Sequence, residues 1–176
     1  MELRSSIIYS AMLCLLITSL TATAQKILAS STVNHVFSNP ATKDIFKLTL
    51  TGTTLLKSKA TFEISNANGI RLYQEKFDGF WLLNELEVDA YNMNIKQQED
   101  YIRKRVKEFF SESNFLKPAI GSKDKSVSDY SDLQIWNEIR ANRNALGFSY
   151  LLSYENHRKI AWSNKLKKTV VYWACC

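Results

Sequence analysis

The stretch ATFEISNANGIRLYQEKF, residues 60–77, decides the fold class because it has the pattern of a β-hairpin. Apolar residues occupy every second position before and after an Asn-Gly pair, as expected of two strands that each bury one face. These residues are Ala60, Phe62 and Ile64 on the first strand and Ile70 and Leu72 on the second. The sequence therefore predicts an antiparallel pair of strands here.

The length of the loop determines which residues of this hairpin face each other. A two-residue turn at Asn68-Gly69 would place Ile64 opposite Tyr73, whereas a three-residue loop at residues 67–69 places Ile64 opposite Leu72. Only the longer loop keeps both apolar sets on one face, and it gives its glycine the left-handed conformation that such loops use. We therefore predict the three-residue loop.

Further strand patterns lie on both sides of this hairpin. Residues 44–51 alternate, and residues 148–154 and 160–162 alternate around a loop predicted at Glu155–His157. Residues 169–174 are apolar on both faces, which indicates an interior strand or one whose second face is covered by helices.

Two amphipathic helices are predicted between these strand blocks, at residues 97–112 and 131–143. The second should begin at an Asp129 or Ser131 cap and bury Leu133, Trp136 and Ile139. Helices kept separate from antiparallel strands are typical of α+β domains. We therefore predict an α+β fold, with an antiparallel sheet built from the N-terminal and C-terminal strand blocks and two helices between them in sequence.

Residues 1–24 predict a cleavable signal peptide for export to the periplasm or the exterior. The apolar stretch Ile7–Leu20 precedes Ala22-x-Ala24, whose small residues suit cleavage after Ala24. The stretch is too short and too interrupted for a membrane span, and the predicted cleavage removes it. No membrane span is therefore expected in the mature chain. Leu13 stands before Cys14 where a lipoprotein needs a small residue, which disfavours lipidation. Residues 25–43 predict a flexible leader, and residues 44–176 a single α+β domain.

Basic residues provide a candidate anion-binding surface in a chain of net charge +6. They are Arg103, Lys104, Lys107, Lys165, Lys167 and Lys168. Outside the cytoplasm such a surface suits phosphorylated envelope lipid, acidic glycan or an acidic protein, and no nucleic acid is expected. The alternative is a solvated charged edge that prevents sheet-to-sheet aggregation.

The sequence predicts no catalytic residue, no metal ligand and no cofactor. His35 falls in the leader and His157 in a predicted turn facing water, so both are expected to be surface residues. The alternating carboxylates at positions 85, 87 and 89 lack the glycine turn of calcium loops. Motifs such as the phosphate-binding loop and HExxH are absent from the sequence. We therefore expect binding rather than catalysis.

Cys175 and Cys176 end the chain as neighbours. Adjacent Cα atoms lie about 3.8 Å apart, closer than the roughly 4.4–6.8 Å usual for disulfides. Four interpretations follow: a strained vicinal disulfide, a disulfide to another chain such as a second copy, a soft-metal thiolate pair, or two thiols of which one is buried. Because an exported compartment is oxidising, a redox-sensitive or disulfide-forming pair is favoured over a metal site.

The chain resembles an uncharacterised family of small exported bacterial proteins that end in Cys-Cys. The shared features are FKLTLTG at 46–52, the Asn68-Gly69 hairpin, Tyr101-Ile102, Phe109-Phe110, Asp129-Tyr130-Ser131, Gly147-Phe148, residues 165–168 and the closing Cys175-Cys176. This resemblance implies export and a shared fold, and no activity. We expect an exported, non-enzymatic envelope or secreted protein that binds a protein or an anionic envelope component through its sheet face or basic edge. The alternative is a thiol-dependent redox protein or enzyme acting through Cys175 and Cys176.

Overall fold

The computed structural model describes residues 26–83, 92–125, 132–153 and 156–175, and these contain two antiparallel sheets of four strands. The first sheet contains β1 (Ile27–His35), β2 (Asp44–Thr51), β3 (Lys59–Ser65) and β4 (Arg71–Asp78), in that order. The second contains β5 (Phe115–Leu116), β6 (Gly147–Ser153), β7 (Asn156–Ser163) and β8 (Lys168–Cys175). Helices α1 (Ile95–Glu108) and α2 (Leu133–Ala141) lie between β4 and β6 in sequence. The α+β prediction is confirmed, and each strand block forms its own sheet.

Several predicted features lie outside the described residues. They are the signal peptide, the carboxylates at 85, 87 and 89, the two predicted helix caps Asp129 and Ser131, and Cys176. Neither described helix is long and apolar enough to cross a membrane.

The prediction of a flexible leader is wrong for Ile27–His35, which forms strand β1. This strand pairs with β2 from Ile27 opposite Thr51 to His35 opposite Asp44. It lies at the edge of the sheet, where backbone hydrogen bonds hold a strand whose side chains are largely exposed or half-buried. Such a strand has little hydrophobic alternation, which explains why its sequence resembles a loop.

The three-residue loop of the β3–β4 hairpin forms as predicted, but the pairing beyond it differs. The Asn66 N–H donates to the Ile70 carbonyl at 2.9 Å, and Gly69 has φ +78°. The register then shifts, so that Ile64 lies opposite Tyr73 instead of Leu72. This β-bulge reverses the faces of β4 relative to the prediction. As a result, Tyr73, Glu75 and Phe77 lie opposite the buried side chains of β3.

The second hairpin also differs in register from the prediction. Asn156 and His157, expected in the loop, are the first residues of β7, and Tyr150 lies opposite Arg158. The predicted loop would have placed Tyr150 opposite Trp162, so the observed pairing is shifted by four residues along the strand. An even shift leaves every side chain on its original face, so alternation alone could not distinguish the two registers.

One hydrophobic core joins both sheets and α1. Phe46 and Phe62 from the first sheet meet Phe148 from the second, and all three are fully buried. Phe109 and Phe110, directly after α1, contact the same aromatic rings. The ring of His35 on β1 stacks on Phe115 of β5 at a centroid distance of 3.7 Å. The two sheets therefore pack face to face.

Helix α2 covers part of the opposite face of the second sheet. Trp136 and Ile139 are buried there against Ala161, Val170 and Tyr172, as the apolar spacing of the helix predicted. This cover explains the second apolar face of β8, which is an edge strand.

The start of α2 differs from the prediction. The cap is Asp132, whose side chain accepts hydrogen bonds from the backbone N–H groups of Gln134 and Ile135. Leu133, predicted to be buried, is 59% exposed because it occupies the first helical position.

Candidate functional site

The six predicted basic residues lie in two groups on separate elements. Arg103, Lys104 and Lys107 are exposed on α1, which packs against β1. Lys165, Lys167 and Lys168 are exposed in and beside the β7–β8 turn, where α2 packs against β7 and β8. The first group therefore lies beside the first sheet, and the second group lies at one end of the second sheet.

Acidic groups accompany both sets. Lys104 pairs with Glu108 on the same helix at 3.9 Å. The backbone N–H of Lys165 donates to the Glu138 carboxylate of α2 at 2.9 Å. These carboxylates lower the local positive potential that an anion would encounter at either group.

Cys175 ends β8 directly opposite His157 of β7, and both residues are half-buried. His157 Nε2 and Ser149 Oγ share a hydrogen bond of 2.7 Å, and the imidazole packs nearly perpendicular to the ring of Trp173. Burial, followed by the charge of Lys159, lowers the pKa of His157. The imidazole is therefore neutral near pH 7. The prediction that His157 lies in a turn facing water is wrong, since it is a strand residue with side-chain contacts.

A charged network that the sequence did not indicate lies between the two sheets. Glu75 of β4 accepts hydrogen bonds from the hydroxyl groups of Tyr150, at 2.5 Å, and Tyr73, at 3.0 Å. Its other carboxylate oxygen pairs with the Arg158 guanidinium, and the two tyrosine oxygens lie 2.7 Å apart. The Glu75 side chain is only 11% exposed. The only sequence signal was an alternation of Tyr73, Glu75 and Phe77, which the predicted register directed away from the core.

The protonation of this network favours a structural role. Burial raises the pKa of Tyr73 to about 12, and burial also raises the pKa of Tyr150. Both hydroxyl groups therefore stay protonated and donate to Glu75 across the physiological range. Because every oxygen of the carboxylate already has a partner, the network ties β4 to β6 and β7.

We expect the protein to lose stability as the pH rises above 10. The pKa of Tyr73 is about 12 in the folded protein and 10.0 for a tyrosine outside the fold. Tyr73 therefore ionises at a lower pH in the unfolded chain than in the folded protein. The unfolded state then binds fewer protons, and the free energy of unfolding falls with increasing pH. Urea unfolding between pH 9 and 12 measures this fall. Tyr73→Phe should show a shallower decline, and identical slopes for the two proteins would contradict the assignment.

Two adjoining cavities open where four connecting segments meet at one end of the sheets. Their volumes are about 250 and 240 Å³, and both are lined by Ser38 and Trp162. The walls come from the β1–β2 loop, the β3–β4 hairpin loop, the segment between α2 and β6, and the β7–β8 region. We call this pair of cavities the Trp162 cleft.

The lining of the Trp162 cleft combines amides with apolar and aromatic groups. Six asparagines contribute: Asn39, Asn66, Asn68, Asn142, Asn144 and Asn164. Ser38 and Thr42 add hydroxyl groups, and Phe37, Leu72 and the half-buried Trp162 add apolar surface. Within the described parts of the chain, no charged residue lines either cavity. This composition is unusual in a protein of which 23% of residues are charged.

The segments around the cleft are held by their own hydrogen bonds. The side-chain oxygens of Asn39, Asn66 and Asn142 each accept from a backbone N–H two residues later, which closes the turn. The buried Asp44 carboxylate accepts from the Ser38 N–H at 2.6 Å and fixes the β1–β2 loop. The cleft is therefore largely preformed. The sequence indicates these asparagines only as turn residues, because they are spread from position 39 to position 164.

Comparison of the chain with models of known families, with curated proteins and with solved structures finds no match. The predicted resemblance to small exported proteins ending in Cys-Cys therefore stays an expectation.

Proposed function

We propose that the protein is an exported, non-enzymatic binding protein that holds its ligand in the Trp162 cleft. The observation that carries this proposal is the convergence of a half-buried indole and six amide side chains on hydrogen-bonded segments. Binding sites are typically concave, mostly preformed and lined by apolar groups with a few placed polar groups. The export part of this proposal rests on the signal peptide predicted at residues 1–24.

The composition of the cleft favours binding over catalysis. General acid–base chemistry needs a titratable side chain within hydrogen-bonding reach of the substrate. The lining residues that the structure describes offer amides, hydroxyl groups and apolar surface instead. The basic edge has weaker support as a ligand site, because its six residues are divided between α1 and the β7–β8 region.

Replacing Trp162 by Ala tests the proposal. The protein should be purified from its host under native conditions, and native mass spectrometry should identify bound small molecules. We expect the recovered ligand to bind the Trp162→Ala variant at least tenfold more weakly, because the aromatic wall shared by both cavities is lost.

Trp173→Ala is the matched control for this experiment. Trp173 lies opposite Lys159, on the other face of the second sheet from Trp162, and is similarly half-buried. Its replacement should leave affinity unchanged. Equal losses in the two variants, or no loss in either, would contradict a ligand site in the cleft.

A second candidate function is thiol-dependent chemistry at Cys175 and Cys176. It is favoured by the position of Cys175 directly opposite His157, whose pKa is lowered by burial. A neutral imidazole on the neighbouring strand provides a base for a thiol proton. The role of Cys176 in this chemistry stays a prediction.

Alkylation of the purified protein without reductant tests this second candidate. Intact mass would show whether the cysteines are free, joined to each other or joined to another chain. For a free thiol assisted by His157, His157→Ala should slow alkylation at pH 7 severalfold. An unchanged rate would remove His157 as the base.

A further inference from the structure

We propose that the ligand of the Trp162 cleft is a neutral carbohydrate, namely a short oligosaccharide that carries no acidic group. This inference rests on the proposed function and adds the chemical class of the ligand. It follows from three properties of the cleft: its aromatic wall, its amide groups and the absence of charged side chains among the lining residues that the structure describes.

The aromatic wall suits the apolar face of a sugar ring. A pyranose presents axial C–H groups on a flat face, and these pack favourably on the electron-rich face of an indole. Trp162 is paired with Thr169 of β8 and packs against the shared core, so its backbone and part of its ring are fixed. Because Trp162 lines both cavities, one indole would contact two neighbouring sugar units.

The amide groups suit sugar hydroxyl groups, each of which both donates and accepts hydrogen bonds. Asn39, Asn66 and Asn142 use their side-chain oxygens to close turns, which leaves their NH₂ groups to donate. Asn164, in the β7–β8 turn, is exposed and offers both its oxygen and its NH₂ group. These amide groups, three of them held in turns, therefore match a ligand rich in hydroxyl groups.

The absence of charge in the lining selects a neutral ligand. A carboxylate, phosphate or ammonium group that entered the cleft would lose hydration without gaining an opposite charge from the described lining. An acidic glycan, which the net charge of +6 suggests, therefore fits this cleft less well than a neutral one. The combined volume of the two cavities falls in the range of about 300–1,000 Å³ usual for small-molecule sites.

Isothermal titration calorimetry tests the assignment, with the full chain purified from its host after any processing that occurs there. The probes are neutral tetrasaccharides of glucose, mannose, xylose and N-acetylglucosamine, with tetragalacturonate as the acidic comparison. We expect at least one neutral probe to bind, and Trp162→Ala to weaken that binding at least tenfold. Trp173→Ala should leave the affinity unchanged.

Asn164→Ala provides a second variant in case Trp162→Ala fails to fold. The Asn164 side chain is exposed, so its truncation should preserve the melting temperature and weaken binding about three- to tenfold. Binding of tetragalacturonate alone, or binding that neither variant weakens, would overturn the carbohydrate assignment. If no saccharide binds but another small molecule requires Trp162, the carbohydrate assignment fails and cleft binding stands. If no ligand requires Trp162, both proposals fail.

Discussion

Replacing Phe62 by Ala is expected to lower the free energy of unfolding by about 3–5 kcal/mol, the cost typical of a large cavity in a core. Phe62 is fully buried on β3. Its ring lies within 5.2–5.5 Å, between centroids, of Tyr150 and Phe148 on the second sheet and of Phe109 beyond α1. Because these neighbours belong to β6 and to the segment after α1, no single movement can fill the space. Urea unfolding followed by circular dichroism measures the loss.

Phe80→Ala is the matched control for this substitution. Phe80 lies in the short 3₁₀ turn after β4 and is 47% exposed, so its truncation should change stability by about 0.5 kcal/mol or less. Both variants should unfold in one cooperative transition, since Phe62 belongs to a core shared by the two sheets. Equal effects of the two substitutions would contradict that shared core.

Phe62 also illustrates which parts of the fold could be predicted from the sequence. Alternation with a period of two indicates burial, and it correctly placed Phe62 and Ile64 on one buried face of β3. Spacing with the helical period of 3.6 residues correctly placed Trp136 and Ile139 on the buried face of α2, although it also placed the exposed Leu133 there. Strand β1 was not predicted, because an edge strand is held mainly by backbone hydrogen bonds and therefore shows little hydrophobic alternation.

The register of the strands could not be predicted in the same way. At β4, one bulged residue exchanged the two faces, so that Glu75 lies toward the core although the predicted pairing directed it outward. At β7, a shift of four residues preserved every face and brought Arg158 opposite Tyr150. Both changes are needed to assemble the charged network, and neither leaves a local signature in the sequence.

The Trp162 cleft could not be predicted for a different reason. Its residues belong to four connecting segments that are distant in sequence, and each asparagine is an ordinary turn residue when considered alone. Only the packing of the two sheets brings Asn39, Asn66 and Asn142 around one indole. The candidate sites predicted from the sequence were therefore charged and sulfur-containing residues, because the chemistry of such a side chain is recognisable from a single position.

Replacing Arg158 by Met is expected to lower the free energy of unfolding by about 3 kcal/mol, near the lower end of the cost of breaking a buried ion pair. The Glu75 side chain is 11% exposed, and the variant would keep its negative charge without the guanidinium. The lower end applies because the Arg158 side chain is 31% exposed, so water partly screens the pair. Urea unfolding at pH 7 measures the change.

Arg71→Met is the matched control, because Arg71 on β4 pairs with Glu63 on the neighbouring strand β3. Arg71 lies 3.8 Å from Glu63, and both side chains are at least 36% exposed. Surface ion pairs contribute about 0.2–1 kcal/mol, so this variant should lose far less stability than Arg158→Met. Similar losses in the two variants would show that the position of Arg158 between the sheets confers no special stability.

The double variant Glu75→Gln with Arg158→Met separates the two charges from the rest of the network. A glutamine oxygen still accepts from the Tyr73 and Tyr150 hydroxyl groups, and no unpaired charge remains, so we expect it to recover about half or more of the stability lost in Arg158→Met. Strictly additive losses would mean that the two charges do not interact.

Because none of these four residues lines the Trp162 cleft, the double variant should keep the affinity of the cleft ligand. A loss of affinity together with full recovery of stability would instead show that the network positions the segments around the cleft.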